Sequence, residues 1–235
     1  MIESIFAPLT SRDFADAIKD FDLSYAENIE AVSLELNYHK YDSVTLRSLA
    51  YNTTNAGEQC LLLGDPNSIL SVITNSNLSP HIVLLLIRRI NAVRPRPLVP
   101  SDNLMRSYVL TTYRVLEYLM RNRVVVNDVV LFQQVWDAAV RFECSTEVFE
   151  SIASFYLVKR LGLGQHSDKA LETMLFILGR ISNPDSKLMT PELTTKLGFA
   201  LEDYEDAIRA WASKKIPDCN GLPLTWILKV VDLYF

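Results

Sequence analysis

The sequence predicts an all-α protein built from antiparallel helix pairs, stacked as a short irregular α-solenoid or as a helical bundle. Apolar residues recur at helical spacing along most of the chain, and no segment of strict apolar–polar alternation competes with them. Glycine is scarce, with 7 residues in 235, where average usage would give roughly 16. Successive helix pairs recur roughly every 40–48 residues with short connections, which favours antiparallel neighbours.

Start and stop signals place the individual helices. Ser24 and Glu27 have the spacing of a capping box. Ser79-Pro80 and Thr190-Pro191 each place an N-cap hydroxyl before a proline at the first helical position. Prolines and glycines after the apolar segments mark the ends. We therefore expect helices at residues 11–21, 24–37, 43–51, 67–74, 80–93, 102–122, 128–143, 146–161, 168–182, 191–213 and 223–235.

Length and composition indicate a globular protein. The chain has 235 residues, 49% of them hydrophobic and 22% charged, which excludes disorder and predicts a single helical domain over 1–235. The alternative is a subdivision into acidic amino-terminal helices (1–78) and a repeat-like part (79–235).

The cysteines and the apolar runs bear on the compartment. The three cysteines are odd in number and far apart, so no disulfide framework is implied and a reducing compartment is expected. No run approaches the ~20 apolar residues of a membrane-spanning helix, and the amino terminus lacks the basic segment of a secretory signal. We expect an intracellular protein, cytoplasmic or, if a presequence has been removed, in the mitochondrial matrix.

One segment carries a resemblance. Residues 115–141 place Met120 at a helix end and Asn127-Asp128 where a Pro-Asp pair would stand, and Phe132 follows at the start of the next helix. This segment resembles the junction between two pentatricopeptide-type repeats. The resemblance implies stacked helix pairs over about 27 residues.

The arginines are concentrated in one part of an acidic chain. Residues 71–125 contain 8 arginines and 2 acidic residues, whereas residues 1–70 contain 4 basic and 11 acidic residues. At 100° per residue, three of the arginines share the solvent face of helix 102–122. Four more close the preceding helix and enter its loop. The predicted basic face consists of Arg88, Arg89, Arg94, Arg96, Arg106, Arg114 and Arg121.

This basic face has three open interpretations. The arginines are solvated or pair with the acidic third of the same chain, or they bind an acidic protein, or they bind an RNA backbone. Guanidinium groups suit both carboxylates and phosphates. The net charge of -5 argues against nucleic acid.

The last helix, 223–235, is apolar at nine of its thirteen positions. Such a helix must be covered by its own domain or by another subunit. We expect an interface with a protein partner or a second copy, anchored by Trp226, Leu233 and Phe235.

Signs of catalysis are missing. None of the three histidines (His39, His81 and His166) has a second histidine or cysteine at metal-ligand spacing. The sequence contains no Gly-x-Ser-x-Gly motif, no Walker lysine loop and no His-Glu-x-x-His motif. We therefore expect no metal and no cofactor.

The predicted function is a non-catalytic helical scaffold or adaptor subunit that mediates protein–protein interactions in a larger complex. The alternative is an RNA-binding helical-repeat or nucleocapsid-like protein that uses the basic face, and an enzyme whose site is assembled from distant residues remains a third class.

Overall fold

The computed structural model describes residues 24–65, 67–92, 103–142, 144, 148–149, 152, 168–182, 205–216, 219 and 221–234. Throughout these ranges the regular elements are helices and no strand occurs, which confirms the all-α prediction. The elements are α1 (Tyr25–Asn37), a 3-10 turn (Tyr38–Lys40), α2 (Ser43–Asn52), α3 (Ala56–Leu62), α4 (Ile69–Thr74), α5 (Pro80–Ala92), α6 (Asn103–Arg121), α7 (Arg123–Val126), α8 (Val129–Arg141), α9 (Asp168–Ser182), α10 (205–215) and α11 (Leu224–Tyr234).

The predicted helix starts are confirmed where the structure describes them. The Ser24 hydroxyl accepts from the backbone N–H of Glu27 at 3.3 Å, and the Glu27 carboxylate accepts from the backbone N–H of Ser24 at 2.9 Å, as in a capping box. The hydrogen bonds from Ser24 lower the pKa of Glu27. The predicted helix 11–21 and most of the predicted helices 146–161 and 191–213 lie outside the described residues.

Helix α3 was not predicted. The Asn55 side chain caps this helix by accepting from the backbone N–H of Gly57 at 2.9 Å and of Glu58 at 3.3 Å. Its buried residues include Cys60 and Leu62. Burial of a short helix outweighs the low helix propensity of its glycine.

The chain forms two compact units. The first comprises Met1–Val125 and Val130–Glu143, and the second comprises Val126–Val129 and Cys144–Phe235. In the second unit α9 packs against α11, and Phe176 and Ile227 are buried. A single domain over the whole chain stays a prediction.

Alternate helices of the first unit pack against each other in two layers. Helix α3 packs against α1 and α5, and α4 packs against α2 and α6. Stacked antiparallel helix pairs produce this pattern, because each helix then lies beside its equivalent in the next pair. Leu62, Ile73, Leu86 and Leu116 are fully buried in this unit.

Three buried asparagines follow the ends of α2, α4 and α6. They are Asn55, Asn75 and Asn122, exposed by 3%, 0% and 5%. In each, the side-chain oxygen accepts from the backbone N–H two residues further along, at distances between 2.8 and 2.9 Å. Each side-chain nitrogen donates to backbone carbonyl groups of an earlier part of the chain. We call these three residues the asparagine locks.

The locks join helix ends that are distant in sequence. Asn75 donates to the carbonyl oxygens of Ala50 at 3.0 Å and Thr53 at 2.7 Å, at the end of α2. Asn122 donates to those of Ile73 at 2.7 Å and of Asn75 at 2.8 Å, at the end of α4. The carboxyl ends of α2, α4 and α6 therefore lie side by side, and carbonyl groups without a helical partner are satisfied.

The other layer is attached at the same edge. Asn55 donates to the carbonyl oxygen of Glu27 in the first turn of α1, at 2.8 Å. The fully buried Gln59 donates to the carbonyl oxygen of Thr53 at 3.0 Å and accepts from the backbone N–H of Ser79 at 2.9 Å. This places the amino ends of α1, α3 and α5 beside the carboxyl ends of the other layer.

Candidate protein-interaction surfaces

Helix α11 has two apolar faces. On its inner face the side chains of Ile227 and Leu228 are 0% and 2% exposed. These residues belong to the unit in which α11 packs against α9. Trp226 and Leu233 remain 45% and 86% exposed. Because seven residues correspond to nearly two turns, these two side chains lie on the same side of the helix. We call Trp226, Val230 and Leu233 the α11 outer row.

The α11 outer row contains two of the three anchors that the sequence predicts. The helix is apolar nearly all round, and among its described side chains the buried ones, Ile227 and Leu228, lie on one side. The third predicted anchor, Phe235, lies outside the described residues.

Helix α1 has a second exposed apolar face, which the sequence analysis missed. Ala31 and Leu34 are 0% and 4% exposed on its inner face, and α1 packs against α3. Ile29, Val32 and Leu36 are 51%, 42% and 69% exposed. Their spacing of three and four residues puts them in one row, which we call the α1 outer row. The signal in the sequence was the surplus of apolar positions over those that one face can hold.

The arginines of the predicted basic face have different surroundings. Arg88 and Arg114 are exposed. Arg121 is half-buried and forms an ion pair with Glu117, 2.8 Å from Nη2 to Oε1. Arg89 is half-buried near Cys60.

Three members of the basic face lack a described side chain. Arg94 and Arg96 lie outside the described residues, and only the backbone of Arg106 is described, within α6. Among those with a described side chain, Arg114 and Arg121 share one side of α6, because seven residues separate them.

The three thiols are buried. Cys60, Cys144 and Cys219 are free and buried. Burial raises the pKa of Cys60 to about 12, and the positive charge of Arg89 opposes that shift only in part. Burial also raises the pKa of Cys144 to about 12. Nucleophilic chemistry needs a thiolate at neutral pH, so these two side chains pack rather than react.

A polar cleft of about 420 Å³ lies in the first unit, at the amino ends of α1, α3 and α5. Glu27, Thr54, Ser79 and His81 are among its lining residues. In the described part of the chain, no three His, Cys, Asp or Glu side chains come together in a way that could hold a metal ion.

Comparison with protein-family models, with curated proteins and with solved structures gave no match to this chain. The resemblance of residues 115–141 to pentatricopeptide-type repeats therefore stays a prediction. Among the residues that the structure describes, no helix combines the length and the apolar character needed to cross a membrane.

Proposed function

We propose that this protein is a non-catalytic helical scaffold subunit that binds other protein chains through the outer faces of α1 and α11. The observation that carries the proposal is that each helix already buries one apolar face and presents a second one to solvent. Contiguous exposed apolar side chains mark protein–protein interfaces. The α11 outer row also contains Trp226, and tryptophan is a typical anchor of such interfaces.

Leu36 and Leu233 are the most exposed apolar side chains of the two rows. Leu36 is 69% exposed and Leu233 is 86% exposed. Full burial of a leucine side chain contributes about 1.5–3 kcal/mol. Covering both rows would therefore contribute several kcal/mol, which an isolated chain does not gain.

The test is affinity purification from the native source with the intact protein and with Leu36→Asp and Leu233→Asp variants. We expect at least one protein to co-purify with the intact chain and to be lost with one of these variants. The matched control is Val140→Asp, because Val140 is 50% exposed but belongs to neither row. Equal recovery of every co-purifying protein with all the variants would contradict the proposal.

RNA binding is a second candidate because Arg88 and Arg114 are exposed. The ion pair between Arg121 and Glu117 reduces the positive charge of the same surface, and the chain carries a net charge of -5. Protein binding is therefore the better supported of the two.

A further inference from the structure

The two outer rows are complementary in charge as well as apolar. Helix α1 contains three glutamates and no lysine or arginine. At 100° per residue, Glu35 lies about 60° from Val32, on the border of the α1 outer row. On α11 the exposed Lys229 borders the α11 outer row, about 40° from Leu233. One row therefore has an acidic border and the other a basic one.

The two rows also match in length. Ile29 to Leu36 and Trp226 to Leu233 each span seven residues, which is about 10.5 Å along a helix axis. By helix periodicity the backbone position of Asp232, the other charged residue of α11, is about 100° from that of Leu233. Two helices with such rows can pack side by side with the Glu35 carboxylate near the Lys229 ammonium.

We propose that the α11 outer row of one copy of this chain binds the α1 outer row of a second copy. This inference rests on the proposed function and names a partner for its two surfaces. The contact is heterologous, because two different surfaces meet. An open assembly therefore keeps a free α1 outer row at one end and a free α11 outer row at the other. Such chains either close into a ring or extend.

The expected affinity is modest. A contact between two short helices is small beside a standard interface of about 1,600 Å², so a dissociation constant in about the micromolar range is expected. Light scattering coupled to size exclusion, over about 5–500 µM protein, covers that range. The intact protein should increase in mass with concentration.

Mixing two variants tests the head-to-tail arrangement. Leu36→Asp blocks the α1 outer row and Leu233→Asp blocks the α11 outer row. Each should weaken self-association by about thirtyfold or more, so each variant alone should be mostly monomeric at about 5 µM, the low end of that range. A one-to-one mixture should form a dimer and stop there, because one intact row of each kind remains. Circular dichroism melts of both variants check that they fold.

The charges give a second test. Glu35→Lys or Lys229→Glu should each weaken self-association by up to about fivefold, since the pair is near solvent. The double variant, with both changes in one chain, should regain the affinity of the intact protein. Salt should weaken self-association of the intact protein.

Three outcomes would overturn the inference. The first is an intact protein that stays monomeric at every concentration, and if native-source partners still depend on Leu36 or Leu233, the proposed function survives without it. The second is a dimer that Leu233→Asp abolishes and Leu36→Asp leaves intact, which would mean that α11 pairs with itself. The third is a mixture of the two variants that contains only monomers.

Discussion

Replacing the fully buried Asn75 with aspartate should strongly destabilise the first unit. Asn75 is fully buried, and its side-chain nitrogen donates to the carbonyl oxygens of Ala50 at 3.0 Å and Thr53 at 2.7 Å. Its side-chain oxygen accepts from the backbone N–H of Asn77 at 2.8 Å. Asn75→Asp keeps the acceptor and removes both donors. A carboxylate then faces two carbonyl oxygens.

The magnitude follows from these contacts. Each lost hydrogen bond costs about 0.5–1.5 kcal/mol, and each buried carbonyl left without a donor adds a desolvation penalty. Leaving a buried charge without a partner costs about 3–5 kcal/mol. We therefore expect the free energy of unfolding at pH 7 to fall by about 3–5 kcal/mol, a large part of the roughly 5–15 kcal/mol of a typical domain. Urea unfolding followed by circular dichroism measures it.

The stability of the Asn75→Asp variant should depend on pH. Burial beside two carbonyl oxygens raises the pKa of the introduced carboxyl in the folded state above its unfolded value of about 3.9. The folded protein then tolerates the protonated form, which regains one O–H donor. Stability relative to the intact protein is therefore greatest below pH ~4 and is lost as the pH rises through the raised folded pKa.

The matched control is Asn52→Asp. Asn52 is exposed, and its side-chain nitrogen donates to the carbonyl oxygen of Ser48 at 2.7 Å. Because water replaces that hydrogen bond, we expect a loss of only about 0.5–1 kcal/mol, part of it from a negative charge at a helix carboxyl end. An Asn75→Asp loss no larger than this control, or one independent of pH, would refute the reasoning.

Three further predictions concern the core, the thiols and the basic face. Ile227→Ala, on the buried face of α11, should cost about 2–5 kcal/mol in urea unfolding, and a loss below 1 kcal/mol would mean that this face is not packed. Cys60 should react with a thiol reagent at pH 8 only when the protein opens, because its side chain is fully buried and burial also raises its pKa to about 12; immediate labelling of the native protein would contradict this. If the RNA alternative is correct, single-stranded RNA should bind in a strongly salt-dependent way and an Arg88→Glu, Arg114→Glu double variant should abolish binding, whereas binding unaffected by salt and by the variant would count against it.

The sequence predicted those features that depend on residues close together in the chain. The capping box of Ser24 and Glu27 and the apolar spacing of α11 involve positions within one or two turns of each other. The locks were missed because an asparagine after a helix looks like an ordinary turn residue. Only the fold brings Asn122 to the carbonyl oxygen of Ile73, 49 positions away.

The candidate surfaces show the same division. The pattern of α1 reveals more apolar positions than one face needs, but it does not say which of them a neighbouring helix covers. Helix α3 decides that, and α3 itself was not predicted. The inner pair Ala31 and Leu34 is buried in the unit where α1 packs against α3, which leaves Leu36 exposed.

The asparagine locks lie along one edge of the two-layer array, and this has a mechanical consequence. The side chain of Asn75 donates to two carbonyl oxygens at the end of α2, and the carbonyl oxygen of Asn75 accepts from the side chain of Asn122. Successive helix pairs are therefore connected to each other by side-chain hydrogen bonds at this edge. We expect thermal motion to separate the helix pairs more at the opposite edge than at the edge that contains the asparagine locks. Backbone amide protons near the asparagine locks should then exchange with solvent more slowly than equally buried amide protons at the far ends of the same helices.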